Sequence, residues 1–179
     1  VVNWLDYSDS VPGFMSREEL TWLHDRAATM QTVVEIGTWK GRSGSALAAG
    51  CPGKVWCIDH FRGSPDQVSE EGVGCAEAVK GHVGELARKN LARFPNVTIL
   101  EMTSRQAADL FEDGSVDMVF IDGTHGYRAV ISDLIAWRPK ARKLFCGHDA
   151  DWGTVRDALR DLKVEWTAGP DAIWYVEVE

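Results

Sequence analysis

Apolar positions along the chain alternate between two spacings. Short β-branched runs ending in glycine or an acid are followed repeatedly by longer stretches with apolar residues three and four apart. This alternation predicts an α/β fold, a doubly wound, Rossmann-like arrangement on a mainly parallel sheet. The first helical pattern opens at Ser16-Arg17-Glu18-Glu19, an S-x-x-E capping box, and continues through Leu20, Leu23, Ala27 and Met30. Thr32 to Gly37 then reads as a buried strand, Ser43 to Ala49 as a helix, Lys54 to Asp59 as a second strand and Ala76 to Phe94 as a helical stretch. Asn96 to Leu100 is a third strand, followed by a short helix from Ser104 to Phe111. Ser115 to Asp122 is a fourth strand, Tyr127 to Trp137 an amphipathic helix stopped by Pro139, and Lys143 to Gly147 a fifth strand. A helix from about Thr154 to Leu162 precedes two last runs, Lys163 to Ala168 and Ala172 to Val178. Only Gly169-Pro170-Asp171 separates those runs, too little for a crossover helix, so they should form an antiparallel hairpin.

Length and composition narrow this picture. A chain of 179 residues is expected to be one domain with its own core, here with residues 1–31 as an N-terminal helical segment. The stretch Phe61 to Gly74, rich in Gly, Ser and acid, is long enough to be a lid. No apolar run approaches a membrane span, and VVNWLDYSDS lacks the basic-then-apolar pattern of a signal peptide, so a soluble, cytoplasmic protein is expected. The net charge of −8 argues against nucleic acid as a partner, because phosphate binding rests on clustered Lys and Arg. Cys51, Cys57, Cys75 and Cys146 form no CxxC; Cys57 and Cys146 lie in apolar runs and read as buried small hydrophobes rather than disulfide partners or zinc ligands.

Ligands of open parallel sheets bind at the carboxyl ends of the strands, near the point where strand order reverses. Four of the five ends carry distinctive groups: Glu35-Ile36-Gly37, Asp59-His60, Asp122-Gly123 and His148-Asp149, while the third runs into Glu101-Met102-Thr103-Ser104. The first loop, Gly37-Thr38-Trp39-Lys40-Gly41-Arg42-Ser43-Gly44, is glycine-rich, but Trp39 stands where a dinucleotide fold needs its second glycine. That bulk disfavours a pyrophosphate, and Glu35 just upstream would repel one and suit a cationic ligand. Asp59 is placed to accept the two hydroxyls of a ribose.

With these residues in view, the chain resembles the class I S-adenosylmethionine (SAM) dependent methyltransferases. VVEIGTWKGRSG resembles their first motif and CIDHF their second, and five βα units with a terminal hairpin match their seven-stranded sheet. VEIGTWKGRSG, FIDGTHGYRAVISDLIAW and GHD are similar to a small group that includes macrolide-sugar O-methyltransferases and cephalosporin-hydroxylase-like proteins. The resemblance implies SAM as cofactor, with Glu35, Gly37, Thr38, Gly41 and Ser43 around its methionine part, Asp59 and His60 by the ribose, and Thr103 or Ser104 by the adenine edge; Asp122 borders the same site. Two positions depart from the pattern: Trp39, and Arg138-Pro139-Lys140-Ala141-Arg142 in place of a proline-glycine-glycine turn.

Asp122, His125, His148 and Asp149 are the remaining candidates for chemistry. Asp122 and Asp149 end neighbouring strands, and two carboxylates in one pocket repel unless a proton or cation lies between them. The likeness to metal-dependent O-methyltransferases implies a divalent ion on Asp122, His148 and Asp149, with the histidine favouring Mn²⁺ over Mg²⁺. The alternative is a metal-free site in which His148 or His125 acts as general base beside Asp122. Trp152 is either a wall of the acceptor site or rim packing. The absence of an N/D-P-P-Y/F tetrapeptide after the fourth strand argues against methylation of DNA-base amines. The expected activity is O-methylation of a small hydroxylated molecule, such as a sugar or natural-product intermediate, gripped by the N-terminal segment, the Phe61 to Gly74 loop or a second subunit. The rivals are a metal-dependent hydroxylase or hydrolase on the same scaffold and a non-catalytic SAM-binding module.

Overall fold

The computed structural model describes residues 3–63 and 81–178. Helices α1 (Trp4–Ser10) and α2 (Arg17–Ala27) lead into β1 (Thr32–Ile36), α3 (Arg42–Gly50) and β2 (Lys54–Ile58). There follow α4 (Val83–Leu91), β3 (Val97–Leu100), α5 (Ser104–Ala108), β4 (Val116–Ile121) and α6 (Tyr127–Trp137). The chain closes with β5 (Ala141–Gly147), α7 (Gly153–Asp161), β6 (Thr167–Ala168) and β7 (Trp174–Glu177). The seven strands lie in the order β3-β2-β1-β4-β5-β7-β6. The first five are parallel, and β7 runs antiparallel to both β5 and β6. Strand order thus reverses between β1 and β4, the crevice where this class of sheet holds ligands.

The central strands β1 and β4 are buried on both faces and the edge strand β3 is half-buried, and the side chains of the parallel part divide between two cores. Val33, Val55, Cys57, Met118, Phe120 and Cys146 pack with Leu20, Leu23 and Leu47 of α2 and α3. Val34, Ile36, Ile58, Val119, Ile121 and Phe145 pack with Leu134 of α6 and Leu159 of α7 on the other side. Among the described residues, no helix is long and apolar enough to cross a membrane. The expected lid from Phe61 to Gly74 falls outside the described residues beyond 63, as does the beginning of the helix expected from Ala76.

Two local expectations are refined. Within the expected N-terminal helical segment, α1 is a separate helix ahead of the Ser16 capping box; its seven residues are started by Asn3, whose side chain accepts the Leu5 N–H. The run Lys163 to Ala168 yields a strand of only two residues, because Lys163 adopts a left-handed conformation (φ 52°) and the Lys163 and Val164 amides still bond to carbonyls of α7. The helix end therefore consumes the residues whose pattern suggested a strand.

One side chain fixes the N-terminal segment on the sheet. Arg42, at the start of α3, donates through Nε to the Met15 carbonyl (2.9 Å), through Nη1 to the Val11 carbonyl (2.7 Å) and through Nη2 to Asp9 Oδ1 (2.6 Å). The planar fork serves several acceptors at once, which an ammonium cannot do. Arg42→Lys is expected to lower stability by about 2–3 kcal/mol in urea denaturation. Amide exchange in residues 8–15 should rise with it, and unchanged exchange there would show that the segment is held by other contacts.

Candidate active site

The carboxyl ends of the parallel strands are flush. Leu100, Ile58, Ile36, Ile121 and Gly147 pair across β3, β2, β1, β4 and β5 as one row. The next residue of each strand continues the ladder: the Asp59 amide donates to Leu100, Gly37 to Ile58, Asp122 to Ile36 and His148 to Ile121. Asp59, Gly37, Asp122 and His148 therefore sit side by side at one edge.

Gly37 has φ +91°, and a Cβ there would lie 2.0 Å from the Asp122 carbonyl oxygen. Only glycine permits β1 to turn this close to β4. Gly41, also left-handed, is the N-cap of α3. Between them Trp39 adopts φ 45°, its ring stacked on Phe14 (5.4 Å between centroids) with the Lys40 ammonium 4.3 Å from the ring centre. Asp59 ties two loops together, accepting the Trp39 N–H at Oδ2 (2.8 Å) and the Phe61 N–H at Oδ1 (2.7 Å). The neighbouring His60 accepts the Arg62 N–H at Nδ1 (3.0 Å) and shapes the turn after β2.

Five of the residues expected around the cofactor, Glu35, Thr38, Ser43, Thr103 and Ser104, make side-chain hydrogen bonds within the fold. Glu35 was expected to face a cationic ligand, but it is fully enclosed and accepts hydroxyl hydrogen bonds from Thr38 (2.9 Å) and Ser43 (2.5 Å). Its burial pushes the carboxyl upward despite those donors. Glu35, Thr38 and Ser43 are consequently the internal tie of the glycine loop: Glu35 lies on the face of β1 that packs on α3, so its side chain points beneath the loop. Thr103 and Ser104 were expected at the adenine edge, but their hydroxyls are committed within the fold. Thr103 caps α5 by accepting the Gln106 N–H, and Ser104 donates to Asp133 (2.5 Å) while accepting the Trp137 indole N–H (2.9 Å).

At the β4 and β5 ends, Asp122, His148 and Asp149 come together, each offering one ligand atom within 4.8 Å of the others. His148 Nδ1 lies 3.2 Å from Asp149 Oδ1 and 3.6 Å from Asp122 Oδ1. Asp149, in a left-handed conformation (φ 61°), turns Oδ2 to within 2.7 Å of His125 Nε2, and the His125 ring lies 4.6 Å from the half-exposed Trp152. Gly147 and Trp174 set this corner: the indole covers Gly147 so closely that a Cβ would lie 2.5 Å from it, and its N–H donates to the His148 carbonyl (3.1 Å). Asp122, Gly123, His125, His148, Asp149 and Trp174 line a cleft there.

Sequence reasoning missed one member of this group. Glu19, read only as half of a capping box, accepts the Ser16 N–H at Oε2 (2.8 Å) and places Oε1 2.8 Å from His148 Nε2 and 3.1 Å from the Ala172 amide. The capping pattern gave a sufficient reason for a glutamate there, and nothing along the chain signals that α2 delivers it to β5.

The electrostatics follow from this enclosure. Burial raises the Asp122 carboxyl to about 8, the Asp149 charge adding to the effect and the histidines opposing it. Burial also disfavours a charged His148, but its hydrogen bonds to Asp149 and Glu19 and the charge of Asp122 outweigh that and push it up to about 11. Burial works against ionised Asp149 as well, yet His125 and His148 hold it well below the usual carboxylate range.

Residues 34–144, well over half of the chain, match the family model described as a methyltransferase domain, and the chain belongs to that family. No curated protein matches the sequence significantly. Among solved structures, cofactor-bound Rv0187 from MTB is similar at TM-score 0.66 and 20% identity, over 98% of this chain and 87% of that one. The O-methyltransferase of Bacillus cereus in complex with SAH matches at 0.65 and 16% identity, over 98% of this chain and 90% of its own. TomG of Streptomyces achromogenes, an O-methyltransferase involved in tomaymycin synthesis and solved with SAM, matches at 0.64 and 15% over 100% and 91% of the two chains. The seven-stranded sheet has the fold of these O-methyltransferases.

The raised values predict a pH dependence with a definite sign. Folded protein keeps the Asp122 proton up to about 8 and the His148 proton up to about 11, whereas an unfolded chain releases them near 4 and 6.5. The folded state thus binds more protons between those limits, and stability should fall as pH rises from neutrality toward 10. In chelator-treated protein, His148→Asn is expected to flatten that decline in urea midpoints; an equally steep decline would show that His148 is not its source.

Proposed function

We propose that this chain transfers the methyl group of SAM to a hydroxyl oxygen of a small molecule such as a sugar or natural-product intermediate. The observation that carries the reading is the convergence of Asp122, His148 and Asp149 beside the glycine loop, with His125 on Asp149 and Trp152 at the rim. SAM supplies an electrophilic methyl on a sulfonium: the C–S bond breaks as the C–O bond forms, leaving S-adenosylhomocysteine and a proton to be removed from the acceptor hydroxyl. Asp59, already oriented by two backbone amides, keeps carboxylate lone pairs for the ribose hydroxyls.

Two carboxylate oxygens and an imidazole nitrogen within 4.8 Å form a donor set that suits a divalent ion, with the nitrogen favouring Mn²⁺ over Mg²⁺. Asp122, His148 and Asp149 would hold it. Such an ion would lower the pKa of an acceptor hydroxyl at the site. With an ion bound, His148 Nδ1 would be taken by the metal; without one, His148 is wedged among three carboxylates and holds its protons past neutrality, so in either state it is a poor proton acceptor. That leaves His125, oriented by Asp149, as the general base.

Calorimetric titration of SAM with and without Mn²⁺, followed by turnover with polyol and sugar acceptors, tests the reading. Asp59→Ala is expected to weaken SAM binding by roughly tenfold or more, the loss of hydrogen bonds to a charged acceptor. Unchanged affinity would remove Asp59 from the ribose. Asp149→Asn should retain SAM and lose about a hundredfold or more in kcat, since it unhitches His125 from its orienting partner. Tight SAM binding without turnover of any hydroxyl acceptor would favour a non-catalytic module; acceptor oxidation or hydrolysis without S-adenosylhomocysteine would favour a hydroxylase or hydrolase.

A further inference from the structure

Glu19 lies outside the groups assigned to methyl transfer, yet it is joined to them by geometry. Its side chain is 3% exposed, and its two oxygens have three partners from three parts of the chain: the Ser16 amide before α2, the Ala172 amide before β7 and His148 Nε2 after β5. Two of these are backbone donors that cannot be turned round. A carboxylate accepts only, so the ring nitrogen facing it must carry the hydrogen.

We propose that Glu19 is a positioning residue that keeps a proton on His148 Nε2 and so presents Nδ1 to Asp122 and Asp149. The distances agree on one orientation, with Nε2 2.8 Å from Glu19 and Nδ1 3.2 Å and 3.6 Å from the two aspartates. The placement follows from the sheet. Ile121 packs on the α6 and α7 side and Phe120 on the α2 side; by alternation His148, paired with the residue after Ile121, returns to the α2 side, where Glu19 waits. A metal-bound histidine whose far nitrogen donates to a carboxylate is fixed in ring orientation, and removing such a partner typically weakens metal binding by 10- to 100-fold. The inference on metal affinity rests on the proposed divalent site, whereas that on the protonated nitrogen does not.

The test separates the two. In the protein without metal, ¹⁵N–¹H spectra of the histidine side chains should show a hydrogen-bonded His148 Nε2–H that exchanges slowly with water in wild type and faster in Glu19→Gln; an unprotonated or fast-exchanging Nε2 in wild type would overturn the proposal. Electron paramagnetic resonance titration of Mn²⁺ should then give a 10- to 100-fold weaker affinity for Glu19→Gln than for wild type. Gln keeps the size of the side chain but offers one acceptor oxygen in place of two. Ser16→Ala removes the hydroxyl half of the capping box without touching His148 and is expected to lower the Tm while leaving Mn²⁺ affinity within about twofold. Equal loss in both variants, or none in Glu19→Gln, would reduce Glu19 to a helix cap. If wild-type protein binds no Mn²⁺, the divalent-site reading fails, and the Nε2 proton still decides the role of Glu19; should Glu19→Gln not fold, the wild-type spectrum decides it alone.

Discussion

The rest of this structure depends on the flush register of its parallel strands. Because the last residues of β3, β2, β1, β4 and β5 lie in one row, the first residues beyond β2, β1, β4 and β5 do too, and each of these four donates its backbone N–H to its neighbour's final carbonyl. A shift of one residue in any strand would send its terminal acid or histidine to the opposite face. The close crossing of Gly37 over Asp122 adds a steric lock to the same alignment. Site geometry is therefore a consequence of strand pairing, and the loops refine it.

The two ends of the sheet use buried charge differently. At the amino edge, Asp117 is enclosed but accepts the Gln31 amide and pairs with Arg142 and Lys143, so its charge is matched by fixed partners and the arrangement is structural. At the carboxyl edge, Glu19, Asp122 and Asp149 surround His148 and leave a raised carboxyl and a strongly held proton in one cluster. Perturbed groups converging on a cleft are what catalysis and cation binding require. The same distinction applies to Glu35, whose two hydroxyl partners make it a tie within the glycine loop although it begins that loop's signature.

The amino-acid sequence by itself determined the order of elements, the strand ends and the chemical types that gather there. Its apolar spacing is a local property, and so are the glycines and acids that interrupt it; hence Asp59, Asp122, His148 and Asp149 were legible, as was the terminal hairpin. Only the tertiary structure decided which of these groups meet and which are already spent. Glu35, Ser43, Thr103 and Ser104 have strand-end and loop positions like those of ligand-binding residues, yet their side chains also make hydrogen bonds within the fold, Glu35 with Ser43, Thr103 with Gln106 and Ser104 with Asp133. Glu19 carried only a helix-start signal, and its contact with His148 spans 129 positions of the chain. Hydrogen bonds across such distances leave no spacing in the sequence, because they arise from which face of the sheet a helix covers.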